Sequence, residues 1–454
     1  MLDVLPLELV VEIFRLCLPE GGCFSGYYYR HEGPVLLAQI CSSWRQVALS
    51  TPSLWSKFDV IFGVDPPRAA HLAQLWLPRS DSYPLDLRIS FFLDEVQPRH
   101  QSTLEHNLAA FLQTIKEHAH HTRNFDLADI TLPELVRFEK EGMFFPMVES
   151  LRVVLHDWGL DDDDSEWPMM ASFASARSLR KLHLEYFTLS RLEAPLENIT
   201  DVIAMSQNLQ QTIYMLAHLP ALEHMDLQSI VIGAETHLPY LDAPIVLPRL
   251  SSFEMSCDFA QHLLPLLTLP ALKELIVSRS DGLSCSMIES LLDRSLCSLK
   301  RLQLWPGGVQ ELPSVSAFKQ SSLMMLEELS IDCPEERSLR RFCDAYGTDA
   351  TFMPKLRTLE FLCGSHPPGA RAAACLERLG PAVAARMAND EPLPLRALKV
   401  TWSEYDASLH GTQFDRRLRR FLQNRELRRL FTALKARGVE VFIGQDGNGK
   451  ISWI

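Results

Sequence analysis

The sequence predicts an α/β fold in which a small helical head precedes a long series of short strands and helices, closed by a helix and a hairpin. Three observations carry this expectation. Apolar residues recur at helical spacing through the first sixty positions. From residue 148 onward a short apolar phrase returns again and again. The chain is 454 residues long and 47% apolar, enough for extensive cores and too much for a disordered polymer. At about 150 residues per domain, the length allows roughly three domains or one elongated array.

The head comes first. Asp3 suits a helix cap, and Pro6 suits the first turn, where its missing N–H has no helical partner to lose. Leu5, Leu9, Ile13 and Phe14 follow at helical spacing, with Glu8 and Glu12 on the other side. Pro19, Gly21 and Gly22 end this element. After a loop holding Tyr27, Tyr28 and Tyr29, the spacing predicts one second helix carrying Leu36, Leu37, Ile40, Cys41, Trp44, Val47 and Ala48. Ser50, Thr51 and Pro52 break it, and Leu54 and Trp55 follow. About sixty residues of helix bury little surface alone. The unit is then either a helical cap on the rest of the chain or a docking module with an exposed apolar ridge.

Leu5-Pro6-Leu7-Glu8-Leu9, Ile13-Phe14, Ile40-Cys41-Ser42-Ser43-Trp44-Arg45, Ala48, and the Leu-Ser-Thr-Pro-Ser-Leu-Trp run at 49–55 resemble an F-box. Their order is similar to that in the F-box proteins of mushroom-forming fungi, although the loop from Glu20 to Gly33 is longer than in short F-boxes. The resemblance covers about an eighth of the chain. It implies docking on the Skp adaptor of a cullin-RING ubiquitin ligase, with the remaining chain selecting a protein substrate. It also implies that Leu5, Pro6, Leu9, Ile13 and Phe14 belong to the adaptor-facing first helix and its packing. Ile40, Cys41 and Trp44 would hold the later helix in place, and Trp55 would close the unit.

The remaining chain repeats L-x-x-L-x-L with substitutions. The copies begin at Val148, Leu179, Leu222, Leu250, Leu272, Leu299, Leu326, Leu356 and Leu395. Degenerate copies begin at Trp55, Pro84 and Thr122. Strand residues two apart share a face, so the last two apolar positions of each copy point into one core. The regular copies start 31, 43, 28, 22, 27, 27, 30 and 39 residues apart, which leaves room for intervening helices. Candidates are Ser286 to Leu296, Leu339 to Tyr346 and Ala370 to Ala388. The pattern resembles a leucine-rich repeat and implies an irregular solenoid, or horseshoe. The Asn or Cys expected three residues after each copy is missing, so another parallel α/β arrangement stays open. The expected divisions are 1–62 for the head, 63–147 for a connecting region with degenerate copies, 148–412 for the array and 413–454 for the cap. Within the cap, Phe414 to Arg437 reads as helix, and Asp446-Gly447-Asn448-Gly449 suits a tight hairpin.

The x positions between the apolar residues give a candidate target-binding face: Lys181, His183, His224, Asp226, Glu254, Glu274, Arg301, Gln303, Trp305, Glu328, Ser330, Asp332 and Glu360. Each alone reads as solvated surface; together they form the face that solenoids commonly use. Trp305 stands out, because an aromatic at an exposed strand end either anchors a partner or packs against a neighbouring loop.

Composition narrows the remaining choices. A net charge of −13 argues against a binder held by nucleic-acid phosphates. Residues 413–437 carry nine Lys or Arg against Asp415 and Glu426, a net of +7 that leaves −20 elsewhere. No apolar run approaches a membrane span, and the start lacks the basic n-region of a secretory signal. The expected location is cytoplasmic or nuclear, where ten scattered cysteines read as reduced core thiols. Asp161 to Asp164 read as a solvated loop, and His118, His120 and His121 beside Glu117 as surface residues rather than a metal site. No nucleophile elbow, phosphate loop or dinucleotide fingerprint is present. No catalytic, metal or cofactor residue is therefore predicted. A ligase substrate receptor is the leading expectation. A repeat scaffold acting without ubiquitination is the alternative, and an α/β hydrolase a remote one.

Overall fold

A computed structural model describes residues 5–18, 33–63, 65–91, 101–156, 167–229, 244–278, 283–305, 314–363, 368–389, 394–403, 425–446 and 451–452. The chain is mixed α/β and divides into two compact units, Met1–Gln207 and Asn208–Ile454.

In the first unit, α1 spans Leu7–Leu16, with Pro6 at its N-cap in extended geometry. The single second helix expected from the spacing is instead two, α2 (Gly33–Ile40) and α3 (Ser42–Leu49). Cys41 separates them in extended conformation (φ −157°, ψ 172°), and its sulfur accepts from the Trp44 N–H as an N-cap. Helical periodicity runs through both pieces, so spacing alone could not reveal the break. A short 3-10 turn at Pro52–Leu54 leads to Trp55, which is buried; its indole N–H donates to Ala48 O at 2.7 Å. The Trp55 ring meets Trp76 edge-on at 4.8 Å, and the Arg79 guanidinium lies 4.9 Å over it.

The first unit then builds six strands among the described residues: β1 (Lys57–Phe62), β2 (Leu85–Phe91), β3 (Thr122–Ile130), β4 (Ser150–Leu155), β5 (Lys181–Glu185) and β6 (Asp201–Met205). They pair in chain order and in parallel. Helices α4 (Pro66–Ser80), α5 (Gln101–His118) and α6 (Leu132–Lys140) connect the earlier strands. Parallel neighbours need such crossovers, because a hairpin cannot return the chain to the same end. Register aligns the apolar phrase from copy to copy: Phe58 with Leu87, Leu87 with Phe125, Phe125 with Leu151, and Leu151 with Leu182. All five side chains are buried. Beside them Phe125, Phe138, Phe145 and Phe173 form a cluster with ring centroids 4.6–6.2 Å apart.

Strand β6 is absent from the pattern read in the sequence. Its copy is Ile199, Val202 and Ala204, all buried, and it lies inside the 43-residue gap between the copies at Leu179 and Leu222. Ala204 is too small to stand out as an apolar beat.

The second unit opens with α7 (Leu209–His218), whose Asn208 and Gln211 form a reciprocal capping box. Its main sheet contains β7 (His224–Ser229), β9 (Ser252–Cys257), β11 (Glu274–Val277), β12 (Arg301–Leu304), β13 (Glu328–Asp332), β14 (Thr358–Leu362), β15 (Ala397–Ser403) and β16 (Glu440–Asp446), all parallel in that order. Strands β8 (Ile245–Val246) and β10 (Leu267–Thr268) form a separate short pair. Helices α8 (Ala260–Leu263), α9 (Cys285–Ser295), α10 (Glu336–Thr348) and α11 (Pro368–Asn389) lie between strands. Their core includes Phe318, Phe342, Phe352 and Phe361, with rings meeting mostly edge to face. Arg386 is buried within α11, and its guanidinium donates to the carbonyls of Tyr346, Asp349, Ala350 and Phe352. It thereby satisfies acceptors around the end of α10 that no helical N–H reaches.

At the C-terminal end, α12 (Arg425–Ala436) buries Leu427, Phe431 and Leu434. Gly380 permits the close approach of α11, since a Cβ there would stand 2.7 Å from the Leu427 side chain. β17 (Ile451–Ser452) pairs antiparallel with β16, as a hairpin requires. Its turn at 447–450, the Tyr27–Tyr29 loop, the Asp161–Asp164 run and 413–424 lie outside the described residues.

Candidate binding faces

Two surfaces are chemically distinctive, the exposed side of α1 and the outward strand faces. In α1 the helical period separates two rows. Val10 and Phe14, four residues apart, are buried, and Phe14 lies 4.9 Å from the Trp44 ring. Leu5, Leu9, Ile13 and Leu16 form the other row and are exposed by 39, 52, 37 and 80%. Leu9, Ile13 and Leu16 lie within α1 and Leu5 just ahead of it, so this helix leaves an apolar side in water. The Arg15 guanidinium donates to Ser53 Oγ at 2.9 Å and ties α1 to the turn after α3.

The residues of the helical head differ sharply in burial. Phe14 and Trp55 are packing residues, while Leu5, Leu9 and Ile13 are presented to solvent. Ile40 is 54% exposed and does not secure the later helix through burial. Cys41 is also exposed and acts on α3 through its cap. Trp44 is half-buried against Phe14.

Alternation along each strand generates the second surface. In the first unit, the residues between the two buried beats are Asp59, Arg88, Asp126, Arg152 and His183, aligned in register from β1 to β5. Their charges alternate along the first four. Arg88 lies 4.0 Å from Asp59 and 3.4 Å from Asp126; Arg152 lies 3.0 Å from Asp126 and 3.8 Å from Glu185. A parallel row brings Asp86 to Asn124, whose amide donates at 2.6 Å, and to Arg123 at 3.3 Å. An open groove of about 330 Å³ runs along this face, lined among others by Lys57, Asp59, Asp86, Arg88, Asp126 and Arg152.

Burial dominates the electrostatics here. It pushes the Asp59 carboxyl up to about 6, against the pull of Arg88. Burial and the neighbouring Arg152 lower His183 below the ordinary imidazole range. Its Nε2 lies 4.0 Å from Glu185.

The second unit places different chemistry at the same beat. Asp226 aligns with Glu254, and farther along the sheet Gln303, Ser330, Glu360 and Lys399 occupy successive strands. Among the described residues neither Asp226 nor Glu254 is ion-paired. Burial raises both carboxyls, and Asp226 raises Glu254 further. In the flanking row, Arg301 binds Glu328 at 2.7 Å and Glu274 at 3.8 Å. Ser330, a surface residue by its x position, is only 3% exposed, because its hydroxyl donates to Glu360 at 2.9 Å. Glu360 also accepts from Thr401. Trp305 follows β12 and is 39% exposed. Lys181 and His224 are exposed, and Asp332 is half-buried.

The candidate face read from the sequence takes only Lys181 and His183 from the first unit. Asp59, Arg88, Asp126 and Arg152 occupy the same x position in the earlier copies, so the signal that finds them is the same alternation. The lower regularity of the three degenerate copies hides the first three, while Arg152 lies in the regular copy at Val148 and is omitted from that face.

The histidine cluster also differs from expectation. His121 is buried, not superficial, since the 3-10 turn at Ala119–His121 swings it inward. Its ring bonds Ser80 and His120, each at 3.3 Å, and burial lowers its pKa to about 4. Among the described residues no group of side chains suits a metal ion, and no helix is long and apolar enough to cross a membrane. Nine described cysteines are free thiols; Cys17 and Cys41 are exposed and the others buried. No protein-family model matches this sequence, and no curated protein matches it.

Proposed function

We propose that this chain is the substrate-receptor subunit of a Skp–cullin–F-box ubiquitin ligase. The helical head acts as the F-box, and its exposed row Leu5, Leu9, Ile13 and Leu16 supplies the apolar contact for the Skp adaptor. That row, with Phe14 turned inward beneath it, is the observation that carries the reading. Association would bury side chains that otherwise stand in water, which stabilises a head too small for a large core of its own. The strand-and-helix copies act as an irregular leucine-rich-repeat solenoid closed by α12 and the terminal hairpin. Their outward faces bind the protein target, and the chain itself contributes no catalytic group. The location this implies is cytoplasmic or nuclear.

The test is co-purification with the Skp adaptor. Wild type should recover it, and Leu9→Ala/Ile13→Ala should lose at least about tenfold in affinity, since two exposed anchors vanish while the fold is untouched. Equal recovery by both proteins, or by neither, sinks the proposal. Unchanged lifetime of captured partners after deletion of the gene would instead favour a scaffold without ubiquitination.

A further inference from the structure

We propose that the groove over β1 to β4 receives a helical segment of a protein partner whose basic and acidic side chains alternate once per turn. This deepens the reading of the strand face as the target surface and rests on it. The row Asp59, Arg88, Asp126 and Arg152 presents negative, positive, negative and positive groups on successive strands. A uniformly basic segment meets Arg88 and Arg152, and a uniformly acidic one meets Asp59 and Asp126. An apolar segment would cover four charged groups and return none of the hydrogen bonds they lose. A segment alternating in the opposite phase gains at every rung.

Spacing selects the conformation of the occupant. Neighbouring strands lie about 4.8 Å apart. On a helix, side chains alternately four and three residues apart stay on one face about 5–6 Å apart at Cβ, a drift of about 1 Å per rung or less. Same-side residues of an extended segment are about 6.7 Å apart and slip out of register after one rung. The groove is also prepared for docking. Phe58, Leu87 and Phe125 are buried beneath it, and the charged side chains hold one another laterally at 3.0–4.0 Å. Less rotamer freedom is then lost on binding. Asp59, at the end of the row, has its nearest cation only at 4.0 Å and is where a partner lysine gains most.

The experiment titrates the full-length protein with three helical peptides of equal length by fluorescence anisotropy. One alternates Lys and Glu at positions spaced alternately four and three residues apart, which keeps them on one helix face; the others place only Lys or only Glu at those positions. The alternating peptide should bind at least about tenfold more tightly than either, with the preference weakening as salt rises. Arg88→Glu/Arg152→Glu makes the row uniformly acidic and should transfer the preference to the Lys peptide. If that protein does not fold, Arg88→Gln at a half-exposed side chain should still weaken the alternating peptide. Equal affinities, no binding by any peptide, tightest binding of a uniform peptide to wild type, or a preference unchanged in the variants overturns the proposal. Adaptor recovery is read separately through Leu9 and Ile13, so failure of the head and failure of the groove are distinguishable.

Discussion

The outward strand faces of the two units follow one geometric rule and differ in their electrostatics. In the first unit, Asp59, Arg88, Asp126 and Arg152 neutralise one another from strand to strand. In the second, Asp226 stands against Glu254 at the equivalent beat, and both carboxyls are pushed upward. The buried beats leave the intervening position free to vary, because it points to the opposite side of the strand from the core they fill. Alternation therefore fixes where the face lies, while the residues placed on it decide whether it is internally satisfied. A satisfied row is a rigid template; an acid stacked on an acid is a local cost that a neighbouring cation would relieve.

The largest expected effects test how each interior is held. Arg386→Ala removes the donor to two buried and two part-buried carbonyls and should cost about 3 kcal/mol, the low end of the range for breaking a buried charged network. Hydrogen exchange should show lost protection in α10 and α11; retained protection would mean that water replaces the guanidinium without penalty. Phe125→Ala in the first unit removes a ring in contact with three others and should cost about 3 kcal/mol or slightly more. Denaturant melting checks it, and a loss under about 1 kcal/mol would mean that the site collapses onto the gap.

Smaller effects separate the two faces. Arg152→Gln breaks contacts to both Asp126 and Glu185 and should cost about 1 kcal/mol at low salt, less as salt rises. A salt-independent loss would point to packing instead. Asp226→Asn should stabilise by about 0.5 kcal/mol at neutral pH, because burial disfavours the Asp226 carboxylate and that charge in turn disfavours the Glu254 carboxylate. The sign follows from linkage. A carboxyl whose folded pKa is raised loses stability as pH climbs past the unfolded value of 3.8, so the advantage of Asn should vanish below that pH. A melting difference that persists there would contradict a penalty on the charged form of Asp226.

Much of the molecule is legible in its sequence. The phrase with beats three and two residues apart locates β1 to β5, β7, β9 and β11 to β15, since an alternating strand must turn those side chains into the core. The helices at 285–295, 336–348 and 368–389 fall where apolar spacing places them, within a few residues at each end. The helical character of α1 is legible too, but spacing groups Phe14 with Leu5, Leu9 and Ile13, whereas Phe14 is buried beside Val10 and the other three are exposed.

Other features depend on contacts distant in the chain. Cys41 divides the second helix because its sulfur caps α3, a local alternative that helical periodicity does not display. His121 is buried by Ser80, forty-one residues earlier. Arg386, a charge that composition assigns to the surface, is inside because the end of α10 offers it carbonyls. By itself the sequence determined which side of each strand is apolar, because a period of two leaves no choice of face. Only the tertiary structure decided which strands stand side by side. Register then turned scattered x positions into a neutral ladder in one unit and an acidic pair in the other, because Coulomb interactions depend on the few ångströms that pairing sets.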